Sequence, residues 1–292
     1  MEPKIVRIPN EFLSNLLPRG ALILCSCILV IVILSNLFER WLLGALYPQV
    51  WADLAHHERR RRSFVYLHIG VSIMAILCIF GAYPVFDFLV GRAQVSDILF
   101  KRITYGDYLF VLSHMYSAYY IFELSFRTKF ASAISIAHHI GLLIAIQMAL
   151  SLFGDLRKYP EAILEFYMCM VWGTFDVIVE IFLYMFMIIW RVKSYNHSLL
   201  TKMAYACFVW VLLGATVETG ITIWLLKSSW SRWGLSFRIL LPLLFSLWIS
   251  TQLYGAYRIF VMARSQARRA KHDSQTLSSD HDDISSLERQ KP

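Results

Sequence analysis

The chain has 292 residues, 58% of them apolar and 16% charged, with a mean hydropathy of +0.54. This composition excludes an ordinary soluble domain, because apolar windows of about 20 residues recur, the length a helix needs to cross the hydrocarbon core of a bilayer. The formal net charge of +8 gathers at the edges of those windows, so it is a topology signal and argues against a nucleic-acid partner.

Seven transmembrane helices are expected, at residues 20–37, 64–81, 106–125, 130–153, 160–190, 199–226 and 236–262. An N-terminal segment, 1–19, precedes the first, whose window lacks an A-x-A-like cleavage site and reads as a retained span. Residues 20–59 comprise that helix and a basic loop, 60–262 the main membrane domain and 263–292 a tail. Cys25 and Cys27 sit two apart, on different faces of a helix; with Cys78, Cys169 and Cys207 they form an odd set in apolar windows, so neither a disulfide framework nor a metal site is expected. The pair His56 and His57 belongs to a basic loop where water solvates it. Only a few residues around Arg127 join the third and fourth spans, which makes them antiparallel neighbours. The fifth window is long for one straight crossing, an excess that Gly173 or a tilt would absorb, and Pro242 is expected to kink the seventh helix.

Lys and Arg favour one face, through Arg59, Arg60, Arg61 and Arg62 before the second span and Arg264, Arg268, Arg269 and Lys271 after the last. That places the C-terminus in the cytoplasm and the N-terminus in the lumen, with anionic lipid headgroups as partners of the basic runs. The sequon Asn196-His197-Ser198 then falls on the cytoplasmic side and is expected to be unmodified. The tail from residue 274 is polar and poor in apolar residues, hence expected to be disordered. In it Ser279 and Ser285 each precede an acidic residue by three positions, a pattern that suits phosphorylation.

Within the spans, polar residues fall in one layer. Counting 1.5 Å per residue from the cytoplasmic ends puts His138, His139, His114, Asp176, Glu180 and Gln252 roughly 13 to 21 Å deep. Unpaired charge at such depth is costly, so these groups are expected to face a shared interior. Asp176 and Glu180, four apart, share one helix face, whereas His138 and His139 diverge by about 100°. One imidazole would act as general base while the other supports it; Glu123 either orients a histidine or snorkels to the interface.

The run Ser117-Ala118-Tyr119-Tyr120-Ile121-Phe122-Glu123-Leu124, followed by Ala137-His138-His139-Ile140, resembles the TLC-domain family of the endoplasmic reticulum, which includes ceramide synthases, translocating-chain-associating proteins and regulators of membrane lipids. Tyr120 and Leu124 match the family's aromatic segment, Glu123 stands where an Asp is usual, and His68 after Ser63 is similar to its S-x-x-H element with shifted spacing. The resemblance implies six helices in a barrel around a lipid cavity, with one further helix at the N-terminus. It also implies a double histidine serving acyl transfer from acyl-coenzyme A. The stretch Gly141-Leu142-Leu143-Ile144-Ala145-Ile146 replaces the polar run that follows the pair in standard ceramide synthases, which sets this chain apart from them.

Two functions therefore stand side by side. One is acyl-coenzyme A dependent acyl transfer to a membrane amine or hydroxyl, with His138, His139, Asp176 and Glu180 as the catalytic set and His68, His114, Tyr120, Glu123 and Gln252 around the cavity. The other is a non-enzymatic lipid regulator or lipid- and cargo-binding protein. No tightly bound cofactor or metal is expected, and homo- and hetero-oligomers are both open. A di-iron desaturase would need HxxHH boxes, yet Ser135 occupies the position three before His138.

Overall fold

A computed structural model describes residues 2–127 and 133–288. After the short α1 (Lys4–Arg7) come α2 (Gly20–Leu37), prolonged through a π-helical turn into α3 (Leu43–Leu46), then α4 (Pro48–Leu54) and α5 (Glu58–Leu89). A small hairpin, β1 (Ile98–Phe100) and β2 (Ile103–Thr104), turns through Lys101 at φ 52° and leads into α6 (Tyr105–Arg127). The chain closes with α7 (Ala133–Leu152), α8 (Ala162–Val192), α9 (His197–Ser229) and α10 (Leu235–Glu288). The fold is all-α apart from that hairpin.

Among the described residues five stretches are long and apolar enough to cross a membrane: Leu17–Leu46, Glu58–Leu89, Ala133–Asp155, His197–Arg232 and Leu235–His272. Large side chains such as Leu22, Ile79, Leu213 and Leu243 stand exposed on their outer faces, which a bilayer covers and water does not. The chain is a multi-pass membrane protein. The two other long helices, α6 and α8, carry the interior acids and tyrosines. α8 packs against α5, α7 and α9, and α6 against α2 and α5.

The helix boundaries add detail to these expectations. α8 runs unbroken through Gly173 for 31 residues, about 46 Å, so the long window is one helix. α10 continues through Pro242 and past residue 262. Ala263 and Gln266 are buried, and Gln266 Oε1 lies 2.6 Å from His197 Nδ1 on α9; residues 263–266 thus belong to the packed seam, because the small and apolar stripe of α10 extends to them. From residue 274, where disorder is expected, α10 is described as helical backbone through Glu288, with Ser279 and Ser285 on it. The α6–α7 connection at residues 128–132 lies outside the described residues. Asn196 has a local role, accepting the Leu199 N–H at 3.0 Å as the N-cap of α9.

The N-terminal segment is strapped to the bundle. Arg232 donates to the carbonyls of Ile5 (2.8 Å), Val6 (3.1 Å) and Ile8 (2.9 Å) and to Asn10 Oδ1 (3.1 Å). Lys4 donates to the carbonyls of Phe88 and Ala93, and burial pushes its amine below the usual lysine range against the pull of Asp87, Asp97 and Glu11. Arg232→Ala removes the clamp and leaves the Lys4 bonds and the buried Ile5 and Ile8 as the hold. We expect trypsin to cleave at the exposed Arg7 about ten-fold faster in that variant; an unchanged rate would show that the strap is fixed without the Arg232 clamp.

Candidate functional site

α6 places Tyr116, Tyr119, Tyr120 and Glu123 at three- and four-residue steps, so all four lie on one side of the helix. α8 answers with Asp176, Glu180 and Tyr184 at steps of four. Tyr66 from α5 and His139 from α7 complete the cluster, in which all five tyrosines are buried. Each hydroxyl has one proton to give, which sets the direction of the network. Tyr119 donates to Tyr66 (2.9 Å), Tyr66 to Tyr184 (2.6 Å), and Tyr184 to Glu180 Oε2 (2.7 Å). Tyr116 donates to Asp176 Oδ2 at 2.5 Å, and Tyr120 donates to the same oxygen. Gly70 makes room for this: a Cβ there would come 2.8 Å from the Tyr184 ring and 2.9 Å from the Tyr119 hydroxyl.

The histidines diverge as their 100° separation requires. His139 turns toward α6, with Nδ1 3.5 Å from Glu123 Oε2 and its ring centroid 4.7 Å from that of Tyr120. His138 turns toward α10, its ring 4.2 Å from the Trp248 ring and its Nδ1 2.9 Å from Thr251 Oγ1. The Thr251 hydroxyl gives its only proton to the Trp248 carbonyl at 2.6 Å. With the Thr251 proton on that carbonyl, the His138 contact is assigned as Nδ1–H donating, which makes Nε2 the accepting nitrogen. His138 and Trp248 also line a small pocket with Gly141, Leu142 and Trp172.

The remaining expected residues lie elsewhere. His114 bonds the Phe110 carbonyl of its own turn (2.9 Å) and packs toward Gly20 on α2. His68 bonds the Phe64 carbonyl (2.8 Å) among the rings of Phe38, Tyr47 and Phe64. Gln252 reaches Glu218 on α9 at 2.6 Å. The structure thus brings together Tyr120, Glu123, His139, Asp176 and Glu180, sets His138 beside them, and leaves His68, His114 and Gln252 outside. Sequence reasoning missed Tyr66, Tyr116, Tyr184, Thr251 and Glu218. For Tyr184 a signal existed, since it extends the four-residue ladder of Asp176 and Glu180. Among the described residues no His, Cys, Asp and Glu group has the geometry to hold a metal.

A half-open apolar cavity of about 950 Å³ adjoins the cluster. It runs from Pro3, Lys4 and Leu89 at one end along α5, α8 and α9 to Tyr116 and Gly173. Tyr116, the donor to Asp176, is thus shared by the cavity wall and the polar network. No family model, curated protein or solved structure matches this chain.

The assembled chemistry pairs a buried base at a small pocket with a polar network that reaches the wall of the large cavity through Tyr116. His138 is fixed in one tautomer with an accepting nitrogen, while the tyrosine chain holds Asp176 and Glu180 in place by direct hydrogen bonds.

Proposed function

We propose that this chain is a TLC-type lipid-handling protein of the endoplasmic reticulum membrane, with α2, α5, α6, α7, α8, α9 and α10 as seven spans. Six of them, α5 to α10, form the TLC-like barrel, with α5 to α9 lining the lipid cavity; the N-terminus is lumenal and the C-terminus cytoplasmic. The observation that carries the reading is the cavity of about 950 Å³, apolar along its length, which ends on Tyr116 of the buried polar network.

Its activity in this reading is acyl transfer in membrane lipid metabolism, of the sphingolipid kind. His138 Nε2 takes the proton of an acceptor amine or hydroxyl as that group attacks the thioester carbonyl of acyl-coenzyme A. The coenzyme A thiolate leaves, and the proton passes from His138 to it, so the base is restored. His139, held by Glu123, positions its neighbour, and the cytoplasmic basic runs attract the coenzyme A phosphates.

Full-length protein in lipid nanodiscs, given labelled acyl-coenzyme A and a panel of amine and hydroxyl lipids, tests this. Wild-type protein transfers label, and His138→Ala with His139→Ala lowers kcat by about 10²- to 10⁴-fold. Thr251→Val, which frees the tautomer, lowers kcat about ten-fold with KM unchanged. Turnover untouched by the double substitution would end the catalytic role.

One observation favours a second, non-enzymatic reading. Asp176 and Glu180 each accept from tyrosine hydroxyls through one oxygen, an arrangement that serves to hold the helices as well as to bind a substrate. A lipid-binding regulator would then show no turnover, yet its deletion would alter cellular lipids and the histidine double variant would restore them.

A further inference from the structure

The large cavity has a charged rim at the N-terminal strap that the histidine chemistry does not use. Glu2, Pro3 and Lys4 close one end of it, on a wall that is otherwise mostly apolar. Lys4 Nζ spends two of its three protons on the carbonyls of Phe88 and Ala93, and it lies 5.0 Å from the Phe88 ring centroid. Among the described residues no carboxylate comes within ion-pair distance of it. Asp87, Asp97 and Glu11 act on its charge from farther off, each with one oxygen taken by a neighbour. The Tyr105 hydroxyl donates to Asp87 at 2.6 Å, the Gln94 N–H to Asp97 at 2.7 Å and the Ser96 hydroxyl to Glu11 at 2.5 Å. The rim thus offers one unspent cationic N–H with negative charge around it.

The cavity also opens sideways. Tyr83, Phe86 and Val90 on α5 and Trp224 on α9 line it, and the same residues stand exposed on outer faces that a bilayer covers. Between them α8 packs against both helices as the floor. The strap crosses this gap at one end: Lys4 ties it to the end of α5, and Arg232, just after α9, grips the Ile5, Val6 and Ile8 carbonyls.

We propose that the strap rim binds the head group of a zwitterionic phospholipid whose acyl chain enters the cavity between α5 and α9. The phosphate takes the third Lys4 proton in a charge-assisted hydrogen bond, and the ammonium faces the acids around it. A head group of one sign fits less well, because an anion meets the acids and a lone cation meets Lys4. The exposed apolar residues at the gap let a chain pass from the bilayer while the head group stays at the rim. The site rests on the lipid-handling reading and names the lipid class held at this end of the cavity.

Native mass spectrometry of the full-length protein released from detergent micelles provides the test, with phosphatidylcholine, phosphatidylglycerol and diacylglycerol of identical chains titrated in turn. Phosphatidylcholine is expected to bind about ten-fold more tightly than diacylglycerol, which lacks the phosphate, and about three-fold more tightly than phosphatidylglycerol, which lacks the ammonium. Lys4→Gln brings phosphatidylcholine down to the diacylglycerol level, while Lys158→Gln, at an exposed lysine away from the rim, leaves the order intact. A phosphatidylcholine with a diazirine midway along one chain labels residues 77–90 and 221–225, which hold the two sides of the opening. Phosphatidylglycerol or diacylglycerol binding as tightly as phosphatidylcholine, an order that survives Lys4→Gln, or labelling confined to other segments overturns the head-group site while leaving lipid binding standing. Absence of both bound lipid and labelling overturns this site and the lipid-handling reading together. The wild-type series decides the matter even if Lys4→Gln does not fold.

Discussion

Gly106→Ala is expected to destabilise the protein by about 3 kcal/mol or more. A Cβ at this position would fall 1.7 Å from the Leu13 carbonyl oxygen and 3.0 Å from that of Val95, so the obstacle is backbone that cannot rotate away. The Gly106 N–H also donates to Val95 at 2.8 Å, which holds the start of α6 against the N-terminal segment and the loop before the hairpin. Thermal unfolding in nanodiscs measures the effect, with Gly141→Ala and Gly220→Ala as controls. At those two helical glycines a Cβ meets nothing within 4 Å, and alanine should be neutral or stabilising by up to about 1 kcal/mol. Equal midpoints for all three variants would refute the close approach.

Asp176→Ala is the second large effect. Tyr116 and Tyr120, both fully buried, give their protons to Asp176 and would be left without an acceptor there, at a cost of roughly 2–5 kcal/mol in total. Asp176→Asn should recover a good part, because its amide oxygen still accepts. Adding Tyr116→Phe and Tyr120→Phe to Asp176→Ala should also recover stability, giving a coupling of about 1–3 kcal/mol in a mutant cycle. Strict additivity would mean that the hydroxyls find other partners. The same series separates architecture from chemistry: if Asp176→Asn restores both stability and lipid turnover, the acid serves as a scaffold for the tyrosines.

The helices were legible because a helix inside a bilayer must satisfy its own backbone with an unbroken apolar stretch, and such stretches show in one dimension. The windows at 20–37, 64–81, 106–125, 199–226 and 236–262 each fall wholly within a helix, and the α8 window does so from Ala162. Helical steps were legible too: the α6 run from Tyr116 to Glu123 and the pair Asp176 and Glu180 do share faces.

Depth was the weaker guide. His114 falls in the same counted layer as His138, but it faces α2, and Gln252 turns to Glu218. Counting residues gives position along an axis and says nothing of rotation about it, which is set by how neighbouring helices pack. Sequence by itself determined a helical, multi-pass membrane protein with a double histidine and two acids one turn apart. Tertiary structure alone decided that Tyr116 and Tyr120 bind Asp176 while Tyr184 binds Glu180, that Thr251 meets His138 Nδ1, and that Tyr116 lines a large apolar cavity. Each of these depends on side chains from different helices meeting within about 3 to 4 Å, and the chain order of their residues carries no record of that meeting.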